Sequence, residues 1–145
     1  MKRVLLAIAI ISVSLSSFAA GPGVDEKVLD AFNKTFPNVQ DVSWSASLQS
    51  YEVKFKLNEI VTHVTYDKQG NALETLRYYG EAQLPLLVLT KVKEKFAGKT
   101  IYGVTELTTG DATTYHIVLE GDKTWTNIKS NASGHIEVES KYKKA

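Results

Sequence analysis

From residue 28 onward apolar side chains recur at Val28, Leu29, Phe32 and Phe36, the spacing of an amphipathic helix, and Pro37 with Asn38 stops it. The spacing returns at Val88, Leu89, Val92 and Phe96, with Pro85 suited to a first turn and Gly98 closing the segment. Leu86 and Leu87 thicken this second stripe, which predicts the more deeply buried of two helices. After each helix the period drops from about 3.6 to 2. "VQDVSWSAS", "SYEVKFKL", "IVTHVTY" and "NALETLRYY" alternate and are rich in β-branched and aromatic residues, with "KLNE" and "DKQGN" as turns. The second set is "IYGVTEL", "TTYHIVLE", "KTWTNIKS" and "HIEVESKY", joined by "TTGDA", "GD" and "NASG". The pattern predicts an α+β fold, a meandering antiparallel sheet of eight short strands with helices on one face. "YGEAQLP", residues 79–85, is the linker.

The punctuation is duplicated. "YDKQGNALET" and "SNASGHIEVE" each place an Asx residue, two further residues and a glycine (Gly70, Gly134) between alternating stretches. At an offset of 64, Tyr51, Val53, Phe55, Asn58, Thr62, Val64 and Gly70 fall without gaps on Tyr115, Ile117, Leu119, Asp122, Thr126, Ile128 and Gly134. At an offset of 60, Val28, Leu29, Phe32 and Phe36 fall on Val88, Leu89, Val92 and Phe96. Two tandem helix-plus-four-strand repeats are expected, at 24–79 and 84–144.

Lys2 and Arg3, the apolar run "VLLAIAIISVSL" and the small-residue stretch "SSFAA" have the form of a secretory signal peptide, residues 1–19, cut after Ala19. The run falls short of the roughly 20 apolar residues of a spanning helix. No stable membrane insertion is therefore expected after cleavage, and residues 20–145 form one periplasmic or secreted domain. Loss of Lys2 and Arg3 leaves 15 of the 17 basic residues against 16 acidic ones. That balance offers no electrostatic grip on nucleic acid. The chain contains no cysteine, so neither disulfides nor thiolate chemistry is available.

"YEVKFKLNEIVTHVTYDKQGNALET", "LPLLVLTKVKEKF" and "YHIVLE" resemble the tandem PepSY-like repeats of the beta-lactamase-inhibitor-like (BLIP-like) proteins of bacterial periplasms and secretions. The resemblance covers essentially the whole chain after the leader. It rests most specifically on the "YEV.F" strand, the "YDKQGN" turn and the "LP..V" start of the second helix. It implies two repeats forming one curved sheet, helices behind and a concave face in front. It does not imply inhibition of beta-lactamase, and it carries no established site. Phe96-Ala97 stands where the usual Tyr-Pro would follow the second helix, and "TWTNIKS" departs from the acidic-aromatic pattern of the third strand.

Catalytic signatures are missing: no G-x-S-x-G elbow, no phosphate-cradling glycine loop and no H-E-x-x-H. The sequence is read as that of a non-enzyme without a cofactor. His63, His116 and His135 lack the spacing of a metal site. The sequons at Asn33 and Asn131 would matter only in a eukaryotic secretory route. Candidate function lies instead opposite the core phase. If Tyr51, Val53, Phe55, Ile60, Val64 and Ile128 face the helices, alternation sends Glu52, Lys54, Lys56, Val61, His63, His116, Val118, Glu120, Trp125, Asn127 and Lys129 to the concave face. A tryptophan among charges on a water-facing sheet suits a binding surface. Trp44, in phase with Val42 and Ala46, is assigned to the core. Tyr78, Tyr79 and Tyr142 sit at strand ends as edge covers or binding aromatics. The expected function is a non-catalytic extracytoplasmic binding module for an unidentified protein or peptide, inhibitor- or sensor-like. The alternative is a carrier of a small apolar ligand between helices and sheet.

Overall fold

The computed structural model describes residues 23–145, so the expected leader and its cleavage site lie outside the described residues. Helix α1 (Glu26–Thr35) is followed by β1 (Gln40–Ala46), β2 (Ser50–Leu57), β3 (Ile60–Asp67) and β4 (Ala72–Tyr79). A single 3-10 turn at Glu81–Gln83 occupies the expected linker and leads into helix α2 (Leu86–Lys95). Strands β5 (Thr100–Thr109), β6 (Ala112–Glu120), β7 (Thr124–Asn131) and β8 (Ile136–Lys143) complete the chain. All eight strands form one antiparallel sheet in sequential order, β1 to β8. The architecture is α+β, and the join between its halves is the β4/β5 ladder, Glu74 opposite Thr109 through Tyr79 opposite Val104.

Cross-strand register shows which side chains share a face. Val53 pairs with Val64 and Val64 with Thr75, while Tyr79 pairs with Val104 and Val104 with Ile117. Thr75 and Tyr79 lie four residues apart on one strand and so point the same way. Both hydrophobic clusters therefore lie on the same side of the sheet. Under α1 the cluster joins Val28 and Phe32 to Val39, Tyr51, Val53, Phe55, Val64 and Tyr66. Under α2 it joins Val88 and Val92 to Ile101, Val104, Tyr115, Ile117, Leu119 and Ile128. Phe32 packs its ring against Phe36, Trp44 and Phe55 at centroid distances of 5.2–5.7 Å. Trp44 is half-buried at the edge of this cluster, as expected, whereas Ala46 in the same phase is exposed near the end of β1.

The second helix is not the more deeply buried one. Each helix buries two residues completely, Val28 and Phe32 in α1 and Val88 and Val92 in α2. Leu86 and Leu87 remain 77% and 51% exposed. At about 100° per residue Leu86 lies nearly opposite Val88 on the helix wheel, and added apolar residues there widen the stripe beyond what the sheet covers.

The repeated glycine turns have a shared physical cause. Asp67 Oδ1 accepts the backbone N–H groups of Gln69 and Asn71, both at 2.9 Å, and Asn131 Oδ1 accepts those of Ser133 and His135 at 3.1 and 3.0 Å. Gly70 N–H then donates to Asp67 O, and Gly134 N–H to Asn131 O. Both glycines have positive φ, 89° and 79°, in the region that disfavours a Cβ. Both also abut a helix. A Cβ on Gly70 would stand 3.0 Å from the Lys27 carbonyl oxygen and 3.4 Å from Ala31 Cβ, and one on Gly134 would stand 3.0 Å from Lys91 Cγ and 3.7 Å from Leu87 Cγ.

Where the halves meet, the helix side turns polar. Arg77 Nη1 donates to Glu106 Oε1 at 3.1 Å, and Tyr79 Oη donates to Glu106 Oε2. Glu106 is 14% exposed. Burial, aided by the Glu106 carboxylate, pushes the Tyr79 phenol far above its ordinary range. No helix among the described residues is long and apolar enough to cross a membrane.

Candidate functional site

With both helices on one side, the other side of the sheet is open, and its side chains form rows across the strands. One row runs Ser43, Lys54, His63, Leu76, Leu107, Thr114 and Asn131. The next runs Lys56, Val61, Tyr78, Thr105, His116, Lys129 and Glu137. Beyond these lie Val118, Asn127 and Ser140, then Glu120, Trp125 and Tyr142. Glu52 sits on the far flank opposite Thr65. All eleven candidate residues thus occupy the face away from the helices.

They do not form one cluster. Glu52, Lys54, Lys56, Val61 and His63 lie on β2 and β3, and the other six on β6 and β7. Strands β4 and β5 intervene, which separates His63 from His116 by roughly 14 Å across the sheet. The gap is bridged by Tyr78, one of the strand-end aromatics, and by Leu76, Thr105 and Leu107, which the alternation argument passed over. Tyr78 packs edge-on against His63 at 5.5 Å.

Charges on this face are mostly paired. Lys56 Nζ lies 3.1 Å from Asp41, and that hydrogen bond raises the Lys56 pKa. His63 Nδ1 lies 3.4 Å from Glu52, and His116 Nδ1 lies 3.2 Å from Glu139. Among the described residues no group of three His, Asp or Glu is placed to hold a metal ion.

An aromatic surface lies at the β5 to β8 end. Tyr102, Val118, Trp125 and Tyr142 line an open cavity of about 260 Å³. Tyr102 packs edge-on against Trp125 at 5.0 Å, and Trp125 is flanked across its strand by Glu120 and Tyr142. Tyr102 reaches this face because of a bulge. Ile101 pairs with Leu119 and Gly103 with Val118, leaving Tyr102 as the extra residue. Ile101 and Val104 consequently both face the core although three residues apart, and strict alternation cannot find Tyr102. Tyr102 and Tyr142 are 68% and 50% exposed. Beside the cavity, Asn127 Oδ1 is buried without a hydrogen-bond partner.

Comparison with solved structures places this arrangement. A BLIP-like protein of Bacteroides fragilis matches with a TM-score of 0.63 at 20% identity, over 83% of this chain and 84% of that one. The fold is BLIP-like. A DUF2874 family protein of Bacteroides ovatus matches with a TM-score of 0.64 at 18% identity over 85% and 89% of the two chains. A Bacteroides eggerthii protein provisionally described as periplasmic matches at 0.62 and 17% identity over 83% and 88%. No family model matches the sequence, and no curated protein does. At these identities the shared property is the fold, and function must be argued from the site.

Within the BLIP-like fold the side chains between helices and sheet are buried. Val28, Phe32, Val53, Phe55 and Val64 on one side and Val88, Val92, Ile117, Leu119 and Ile128 on the other are at most 1% exposed. Cores packed in this way hold few voids larger than a water molecule.

Proposed function

We propose that this chain is a non-catalytic extracytoplasmic binding module that grips a protein or peptide with the open face of its sheet. The observation that carries the reading is the cluster of exposed Tyr102 and Tyr142 around half-buried Trp125, on a face where an antiparallel sheet would ordinarily be polar. Aromatic anchors framed by paired charges are the composition of an interface core and its rim. The fold shared with a BLIP-like protein and with one provisionally described as periplasmic supports the reading, as does the signal-peptide character of residues 1–19.

The same reading takes the domain as two tandem repeats of a PepSY-like unit. In its support, Tyr51, Val53 and Phe55 and their counterparts Tyr115, Ile117 and Leu119 are all buried under a helix. The turns at Asp67 and Asn131 use one hydrogen-bond pattern and dock on helix positions 60 residues apart, Lys27 and Ala31 against Leu87 and Lys91. A duplicated sheet doubles the width of a single recognition surface, and β4 with β5 becomes its middle.

The test is affinity capture from envelope and secreted extracts by the wild-type chain and by a Lys54→Ala, Trp125→Ala variant shown to fold. A partner held by the wild type and by a helix-side Leu86→Ser control, but lost by the double variant, is the expected result. Equal capture by all three overturns the assignment of the face.

A further inference from the structure

We propose that the aromatic surface of Tyr102, Trp125 and Tyr142, with Glu120 beside it, takes a lysine or arginine side chain of the partner, and that the chain's own Lys144 holds the Trp125 ring and Glu120 while the partner is absent. The inference rests on the binding role proposed above and names the chemistry of one contact within it.

The chemistry of the walls carries it. The rings of Tyr102, Trp125 and Tyr142 present π systems whose faces attract cations. Glu120, directly across the strand from Trp125, brings a full negative charge to the same place. Aromatic faces and a carboxylate together select a ligand that is cationic and rich in N–H donors. A cation already stands against one of these rings. Lys144 Nζ lies 5.0 Å from the Trp125 ring centroid and forms an ion pair with Glu120. Lys144 follows β8 and its backbone N–H donates to the Lys123 carbonyl, so its side chain can leave without breaking the sheet. Lys141 and Lys143 pair with Thr126 and Thr124, in the phase that faces the helices. Lys129 lies two rows away, between His116 and Glu137.

The experiment uses the full chain expressed with its leader and recovered from the extracytoplasmic fraction of a bacterial host. Its two tryptophans provide an internal control, because Trp44 packs on the helix side. Capped Gly-Ser-Gly-X-Gly-Ser-Gly peptides, with X lysine, arginine, norleucine or acetyl-lysine, are titrated while both indole N–H resonances are followed by NMR. The lysine and arginine peptides are expected to shift the Trp125 signal saturably and to leave Trp44 unmoved. The uncharged peptides of the same reach should do neither. Lys144→Ala should tighten binding about two- to five-fold, the value of one exposed cation–π contact, and Glu120→Gln should weaken it. Norleucine binding as well as lysine, a Lys144→Ala variant that binds no better, or no Trp125 shift with any peptide would each overturn the proposal. If the uncharged peptides bind while partner capture still depends on Trp125, only the cation assignment falls. If capture is indifferent to Trp125, the binding role itself falls.

Discussion

Gly70 and Gly134 occupy equivalent turns, yet alanine should cost different amounts at the two positions. Both have positive φ, and an L-residue held in left-handed backbone loses about 1–2 kcal/mol. The second contribution depends on what the new methyl meets. At Gly70 it meets the Lys27 carbonyl oxygen at 3.0 Å, part of the α1 backbone, which can yield only if the helix shifts on its core. At Gly134 the atom at 3.0 Å is Lys91 Cγ, in a side chain that can change rotamer. Overpacking against rigid structure costs about 1–3 kcal/mol, so Gly70→Ala should lose about 2–5 kcal/mol and Gly134→Ala about 1–2 kcal/mol. Urea unfolding of both variants, followed by the fluorescence of Trp44 and Trp125, measures the difference. Thermal midpoints should fall by roughly 3–6 °C per kcal/mol for a chain of this size. Adding Lys91→Ala should lessen the loss at Gly134. Equal losses at the two sites, or a larger one at Gly134, would refute the argument that the turns are glycine because they dock on helices.

Phe32→Ala removes the ring that touches Phe36, Trp44 and Phe55 and should cost about 3–5 kcal/mol in the same unfolding assay. Asp67, whose carboxylate is held below its ordinary pKa chiefly by the Asn71 side chain and then by backbone N–H groups, stabilises its turn above the ordinary carboxylate range. That contribution disappears as pH falls through the depressed value. Amide exchange in the β3–β4 turn should therefore quicken in acid, while the β7–β8 turn, built on Asn131, should not respond, and Asp67→Asn should abolish the difference. Tyr79, raised first by burial and then by Glu106, contributes stability that is complete below the ordinary tyrosine pKa and is lost as pH rises beyond it. In an absorbance titration Tyr79 should ionise last among the tyrosines, and Glu106→Gln should bring it earlier.

The sequence was most legible where one period ran unbroken. Tyr51, Val53 and Phe55 alternate through a regular strand, so the faces of Glu52, Lys54 and Lys56 followed directly. Trp125 lies on the open face for the same reason, its phase fixed by Ile128 three residues on, at the centre of the core. Legibility failed where the period was broken or the partner was distant. The bulge at Tyr102 inserts one residue into β5 and reverses the phase around it, with Gly103 in "IYGV" as the faint signal. Arg77 and Glu106 are 29 residues apart, and nothing local in either strand announces that they will meet. Leu86 and Leu87 misled because composition records apolar content but not the width of sheet available to cover it.

The strictly sequential strand order also bears on how the chain acquires its shape. Every strand is hydrogen-bonded only to strands adjacent to it in sequence, so no segment waits for a distant one to be synthesised, except across the stretch that holds α2. Pairings of short loop closure form early and fast. A polypeptide delivered amino end first can therefore close each hairpin as it emerges, lay α1 on β2 and β3, and present a finished β4 as the template on which the remaining strands align.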